Sequence, residues 1–197
     1  MGMRMARKLV VAVLALASSI VAPAARADVI ASGAGGVFVP FKGKVGPSGL
    51  VEVLWSKDRW RFGGEVEYRS YKSSIFDVDN VSFDSVCLRG VMQYHLRTEG
   101  LRPYVGAGFG LNINSIDSDR VQRERPELSD VSDVGAGIGL LGLGGVEFPL
   151  TSHLSLFGEA RVSVDFQLTE QEGRGSDDIG VENLGGAAAI AGIRMRF

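Results

Sequence analysis

Beyond residue 28 most of the chain alternates apolar and polar side chains with a period of two, the pattern of a strand with two unlike faces. Between residues 82 and 96 one face carries Val86, Leu88, Gly90, Met92, Tyr94 and Leu96. The other carries Ser85, Cys87, Arg89, Val91, Gln93 and His95. From 153 to 168 the alternation is cleaner, with Leu154, Leu156, Ala160, Val162 and Val164 set between His153, Ser155, Glu159, Arg161, Ser163 and Asp165. An amphipathic helix repeats its apolar residues at three and four, so these stretches are not helices.

Eight such segments can be counted, at about 29–41, 49–56, 60–71, 82–96, 101–115, 135–149, 153–168 and 183–197. The connections between them, 42–48, 57–59, 72–81, 97–100, 116–134, 150–152 and 169–182, are alternately long and short. Short turns at one end and long polar loops at the other predict an all-β fold, an eight-stranded antiparallel up-and-down barrel with unlike ends.

The decisive question is which face lies outside. A soluble ligand-binding barrel would turn its apolar face inward, whereas a membrane barrel turns it to lipid and fills the lumen with polar groups. Three features predict the membrane. Trp55, Trp60, Tyr94, Phe148 and Phe197 gather near the short turns, as an interfacial girdle requires. Gly106, Gly108, Gly110, Gly135, Gly137 and Gly139 share the polar face, where a narrow lumen is crowded. The segments are also mostly longer than ordinary globular strands and long enough to cross a bilayer.

The first 27 residues have another purpose. Arg4, Arg7 and Lys8 precede an uncharged run over 9–21, and Ala25 and Ala27 then place small residues where a signal peptidase reads. The domain plan is a signal peptide at 1–27 and a barrel at 28–197. No cysteine lies near the cleavage point, so a lipoprotein is not expected. The single Cys87 among 197 residues rules out a disulfide scaffold or a CxxC zinc site. A net charge of −2 gives no reason to expect a nucleic-acid partner.

The last strand, Ile193, Arg194, Met195, Arg196 and Phe197, ends on an aromatic with apolar residues at alternate positions before it. With the runs from Arg102 through Gly110 and from Leu154 through Arg161, it resembles the small OmpA-like and OmpX/Ail-like outer-membrane proteins. The resemblance implies the outer membrane of a Gram-negative type cell, in lipid that includes lipopolysaccharide. It also implies that Phe197 is an assembly signal for the barrel-assembly machinery. No peptidoglycan-binding segment follows the barrel in this sequence, so no cell-wall tether is implied.

Candidate chemistry concentrates on the inward face. Glu52, Glu65, Arg89, Glu159 and Arg161 fall at similar heights above the short turns, and buried charges must pair with one another. The expectation is an ion-pair plug, with Arg194, Arg196 and Glu147 as a second layer nearer the periplasm. His153, Ser155 and Glu159 resemble the outer-membrane lipid A deacylase in residue type, but successive same-face residues lie nearly 7 Å apart and face the lumen rather than lipid. Gly137, Gly139 and Gly142 match GxGxxG without the βαβ unit that a dinucleotide needs. Cys87 is expected to be a small buried residue without a lowered pKa.

The loops are charged: Arg120, Arg123 and Arg125 would suit anionic lipopolysaccharide, and 169–182 is acidic without a calcium-loop ladder. The extracellular ligand, if any, is not legible. No cofactor, metal or catalysis is expected. The expected role is structural or in surface interaction; a small passive or gated channel is the alternative, and a lipid hydrolase the third reading.

The mature protein is expected to begin at Asp28 and to partition with the outer membrane. Intact-mass measurement of the protein from that fraction checks both points; recovery from the soluble periplasm would contradict them.

Overall fold

The computed structural model describes residues 28–75, 78–116, 134–169 and 180–197, and its regular elements are all strands. These are β1 (Asp28–Pro40), β2 (Gly43–Lys44), β3 (Gly46–Lys57), β4 (Trp60–Ile75), β5 (Val78–His95), β6 (Arg102–Ile116), β7 (Val134–Pro149), β8 (Leu154–Thr169), β9 (Gly180–Asn183) and β10 (Gly186–Arg196). Every pairing is antiparallel. β10 pairs with β1 from Ile30↔Arg196 to Pro40↔Gly186 and with β8 from Leu154↔Met195 to Ser163↔Gly186, so the sheet closes. Short β2 and β9 continue the strands of β3 and β10 beyond local breaks, which leaves eight staves. Closure matters because hydrocarbon offers no partner to an unpaired backbone N–H or C=O.

The faces sort as the alternation predicts. Ser85, Cys87, Arg89, Val91, Gln93 and His95 of β5 are buried inside, while Leu88, Met92 and Leu96 are exposed on the outer wall. Phe109, Leu111, Ile138, Leu140, Val162 and Ile193 extend that apolar wall around the barrel. A ligand-binding soluble barrel would show the reverse, with charges out and apolar groups in. The exterior is a lipid-facing surface. At the short-turn end Trp60 packs on Tyr94 with centroids 4.7 Å apart, one part of the aromatic girdle. The tightest turn is Asp58 and Arg59 between paired Lys57 and Trp60; Asp58 takes φ 55°, which aspartate tolerates better than most side chains.

Strand lengths depart from the sequence reading at the outer rim. Residues 72–81 were expected to be a connection, yet β4 continues to Ile75 and β5 begins at Val78. β3 likewise begins at Gly46, inside the expected 42–48 loop, and β9 begins at Gly180, inside the expected 169–182 loop. The reason is an inversion of polarity. Above the apolar band the outward positions become Ser70, Lys72, Ser82 and Asp84, while Tyr71, Val81 and Phe83 turn inward. The period of two persists there, but its apolar phase changes sides.

Closure ends at the C-terminus, where the Phe197 amide donates to the Val29 carbonyl at 2.8 Å. Deleting Phe197, or Phe197→Asp, is therefore expected to cut the yield of folded barrel more than removal of residues 120–130, because exposed loops tolerate change. Heat-modifiable gel mobility of outer-membrane fractions measures this; equal defects would contradict it.

Candidate functional site

Among the described residues the lumen holds six buried carboxylates: Glu52, Glu65, Glu67, Glu147, Glu159 and Asp165. Against them stand five buried arginines, Arg61, Arg69, Arg89, Arg161 and Arg194, with Arg102 joining from the periplasmic rim. These charges balance. They form two layers rather than one belt.

The outer layer centres on Glu67, which is fully buried. It accepts from Arg69 at 2.9 Å through both Nε and Nη2, from Arg89 at 2.7 Å and from Arg161 at 3.1 Å. Asp165 accepts from Arg69 at 2.8 Å, from Ser163 at 2.9 Å and from Asn112 at 2.8 Å, with Arg89 at 3.4 Å. Glu65 pairs with Arg89 at 3.3 Å and with Arg161. Gly139 makes room for this layer, since a Cβ there would lie 2.2 Å from Asp165 Oδ1 and 2.7 Å from Asn112 Nδ2. Its place on the inner face is thus a packing requirement of the network.

The periplasmic layer centres on Glu147, which accepts from Arg61 at 2.5 Å, Arg194 at 3.2 Å, Arg102 at 3.3 Å and Ser155 at 3.2 Å. Glu52 accepts from Gln93 at 2.8 Å, Ser32 at 3.0 Å and Arg194 at 3.3 Å. The Arg194 guanidinium lies between two rings, 4.7 Å from the Tyr104 centroid and 4.1 Å from Phe157. Glu159 joins the layers: it takes Arg161 Nε at 2.5 Å, the Tyr104 hydroxyl at 2.8 Å and Arg194 at 3.7 Å. Apolar side chains fill the rest. Phe38, Tyr71, Val81, Phe83, Ile116, Leu184 and Ala188 form a cluster at the outer end, with Tyr71 and Phe83 stacked at 5.4 Å. Ile30, Leu54, Val91, Tyr104, Leu141 and Leu143 pack lower down.

All five residues expected in the belt lie in the lumen, but not at one level. Glu65, Arg89 and Arg161 meet, Glu159 bridges, and Glu52 belongs to the periplasmic layer. Barrel stagger shifts heights between staves, which counting from the turns ignored. Of the expected second layer, Arg194 and Glu147 pair at 3.2 Å, whereas Arg196 reaches out to Asp28 at 3.8 Å on the partly exposed rim. Arg61, Glu67, Arg69 and Asp165 were missed although parity marks them: they share the inward face with Glu65 on β4 or with Glu159 on β8.

His153, Ser155 and Glu159 are not brought together. His153 is exposed and bonded to Ser152 at 2.8 Å, Ser155 donates to Glu147, and Glu159 is held by Arg161 and Tyr104. Cys87 is buried in the lumen. Among the described residues no group of three His, Cys, Asp or Glu side chains is placed to hold a metal ion. Residues 1–27, expected to be a signal peptide, and the charged loop residues Arg120, Arg123 and Arg125 lie outside the described residues.

No protein-family model matches the chain, and no curated protein matches it. Solved structures do. Neisserial surface protein A shares 21% identity at a TM-score of 0.59, covering 86% of this chain and 97% of that one. The outer membrane protein OprG of Pseudomonas aeruginosa shares 14% at 0.57, covering 87% and 96%. The Escherichia coli outer membrane protein W shares 14% at 0.56, covering 87% and 97%. At these identities the shared property is the fold, over the whole length of the barrel. With its apolar lipid-facing wall and its girdle, this chain is an eight-stranded transmembrane barrel that shares the fold of the small outer-membrane proteins.

Proposed function

We propose that the protein is a plugged outer-membrane barrel with a structural or surface-interaction role and without catalysis. One observation carries the reading: six carboxylates and six arginines neutralise one another across the lumen, under an apolar cap. Such a filling gives a conducting path little room and fixes the staves against slippage. In this reading the barrel sits in lipid that includes lipopolysaccharide, and the barrel-assembly machinery reads its terminal Phe197. Surface contacts belong to the extracellular loops, whose ligand the reading does not specify.

A gated channel is the second reading. It is favoured by the sharing of Glu67 among Arg69, Arg89 and Arg161, since a carboxylate with three cations can exchange partners. Planar-bilayer recordings of the refolded full-length chain separate the two. The plugged barrel shows no open state, and regular openings of the unaltered protein would favour the channel.

The plug also predicts coupled energetics. Arg89→Ala removes a partner from Glu67 at 2.7 Å and from Glu65 at 3.3 Å. Breaking a buried pair typically costs about 3–5 kcal/mol, and losing both members costs less than the sum of the single losses. Urea unfolding in lipid is expected to show stronger coupling of Arg89 with Glu67 than with Glu65. Additive losses for both pairs would refute the network.

A further inference from the structure

Lys44 of β2 and Lys72 of β4 are direct cross-strand partners, both on the outer face, and Lys42 is two residues away. Like charges placed directly opposite one another destabilise an antiparallel pair. The placement is fixed by backbone rather than by loose side chains. Gly43 has φ 139°, and a Cβ there would lie 2.0 Å from the Lys72 carbonyl oxygen, so only glycine allows this approach. The Ser73 hydroxyl also donates to the Lys42 carbonyl. Among the described residues none forms an ion pair with the three lysines. The outward Asp84 lies opposite Ser70, one step below the Lys72–Ser82 pair, and it already accepts the Tyr68 hydroxyl at 2.7 Å.

Their height identifies what neutralises them. Trp60 of the periplasmic girdle and Lys72 are on the same strand, twelve residues apart. At about 3.3 Å per residue and a tilt of about 40°, that is about 30 Å along the membrane normal, against an apolar band about 25 Å tall. The lysines therefore stand at the headgroup level of the outer leaflet. Phe41 and Val45 flank them and are among the most exposed apolar residues of the barrel, at 55% and 60%. Cations between apolar anchors suit a ligand that has an anionic head and a hydrocarbon body.

We infer that Lys42, Lys44 and Lys72 bind the phosphate group of a phosphorylated outer-leaflet lipid, at the tip of the β1–β3 connection. The inference deepens the lipid contact of the proposed role and rests on that reading's placement in the outer leaflet, not on its plug. The test uses the refolded full-length protein in two vesicle types, phosphatidylcholine alone and phosphatidylcholine with bis-phosphorylated lipid A. Lys44→Gln with Lys72→Gln relieves repulsion in the first and removes phosphate contacts in the second. The urea midpoint is expected to rise in the first and to fall in the second.

Native mass spectrometry is expected to show retention of lipid A weakened about tenfold or more, as the loss of two charge-assisted contacts implies. Lys44→Arg with Lys72→Arg keeps the charge and is expected to keep the lipid response, which covers any folding defect of the Gln variant. Lys57→Gln, at the opposite end of the barrel, is expected to change neither readout. A midpoint shift of the same sign in both vesicle types, or undiminished retention, would overturn the site. Equal stabilisation of the parent protein by inorganic phosphate in phosphatidylcholine would overturn the assignment to lipid. Channel recordings are independent of all these outcomes, so failure here and failure of the plugged-barrel reading are distinguishable.

Discussion

Every backbone amide and carbonyl within the bilayer must find its partner inside the protein, and a barrel satisfies that demand by closing β10 on β1. The remaining features follow from this closure. With eight staves the interior is narrow enough for side chains to fill it, so inward residues must pack on one another. Charges placed there must pair, because an isolated buried charge costs several kcal/mol. The same closure forces each stave to show one face to lipid, and alternation along the chain is the record of that division. Where the staves rise above the apolar band the constraint changes. Lys72 and Asp84 then face outward, while Phe83 and Tyr71 become the core.

What alternation reveals is side, and what it hides is height. Glu65 and Arg89 are direct cross-strand partners, and neighbouring staves of known register could be matched from sequence. Contacts across the lumen are another matter. Arg161 reaches Glu65 from β8 through the combined stagger of several staves, whereas Arg194 of β10 and Glu52 of β3 flank a single stave and are both in register with Ser32 of β1. No periodicity encodes that sum, and for this reason one expected belt resolves into two layers. Arg196 shows the related limit at the rim: it has the inward parity of Arg194, but the barrel ends there and the side chain reaches Asp28. The extended rim strands were hidden differently, by a polarity inversion that resembles a loop when membrane alternation is the template.

The choice of cation in the lumen follows from the number of acceptors. Of the arginines and lysines among the described residues, only arginines are buried, whereas Lys42, Lys44, Lys57 and Lys72 are exposed. A guanidinium offers five donors in one plane and can stack on a ring while it bonds at its edge. Arg194 uses both its faces and its two terminal nitrogens, with Tyr104 and Phe157 over the plane and Glu52, Glu147 and Glu159 at its edge. An ammonium in the same place would leave carboxylates short of partners. Lysine suits the rims, where water or a headgroup completes its shell.

Plugging and opening are therefore opposed properties of the same residues. To open a path past Glu67, Arg69, Arg89 and Arg161 would have to release a carboxylate that all three hold, and Asp165 and Glu65 would lose partners with it. Neighbouring carboxylates cannot absorb the change, because each already holds two of the same three cations, Asp165 with Arg69 and Arg89, and Glu65 with Arg89 and Arg161. The layers are also linked through Glu159, so a displacement of Arg161 reaches Arg194 and from there Glu147. A network of this kind responds as a unit. In the plugged reading, resistance to opening and the holding of the staves in register have one physical origin.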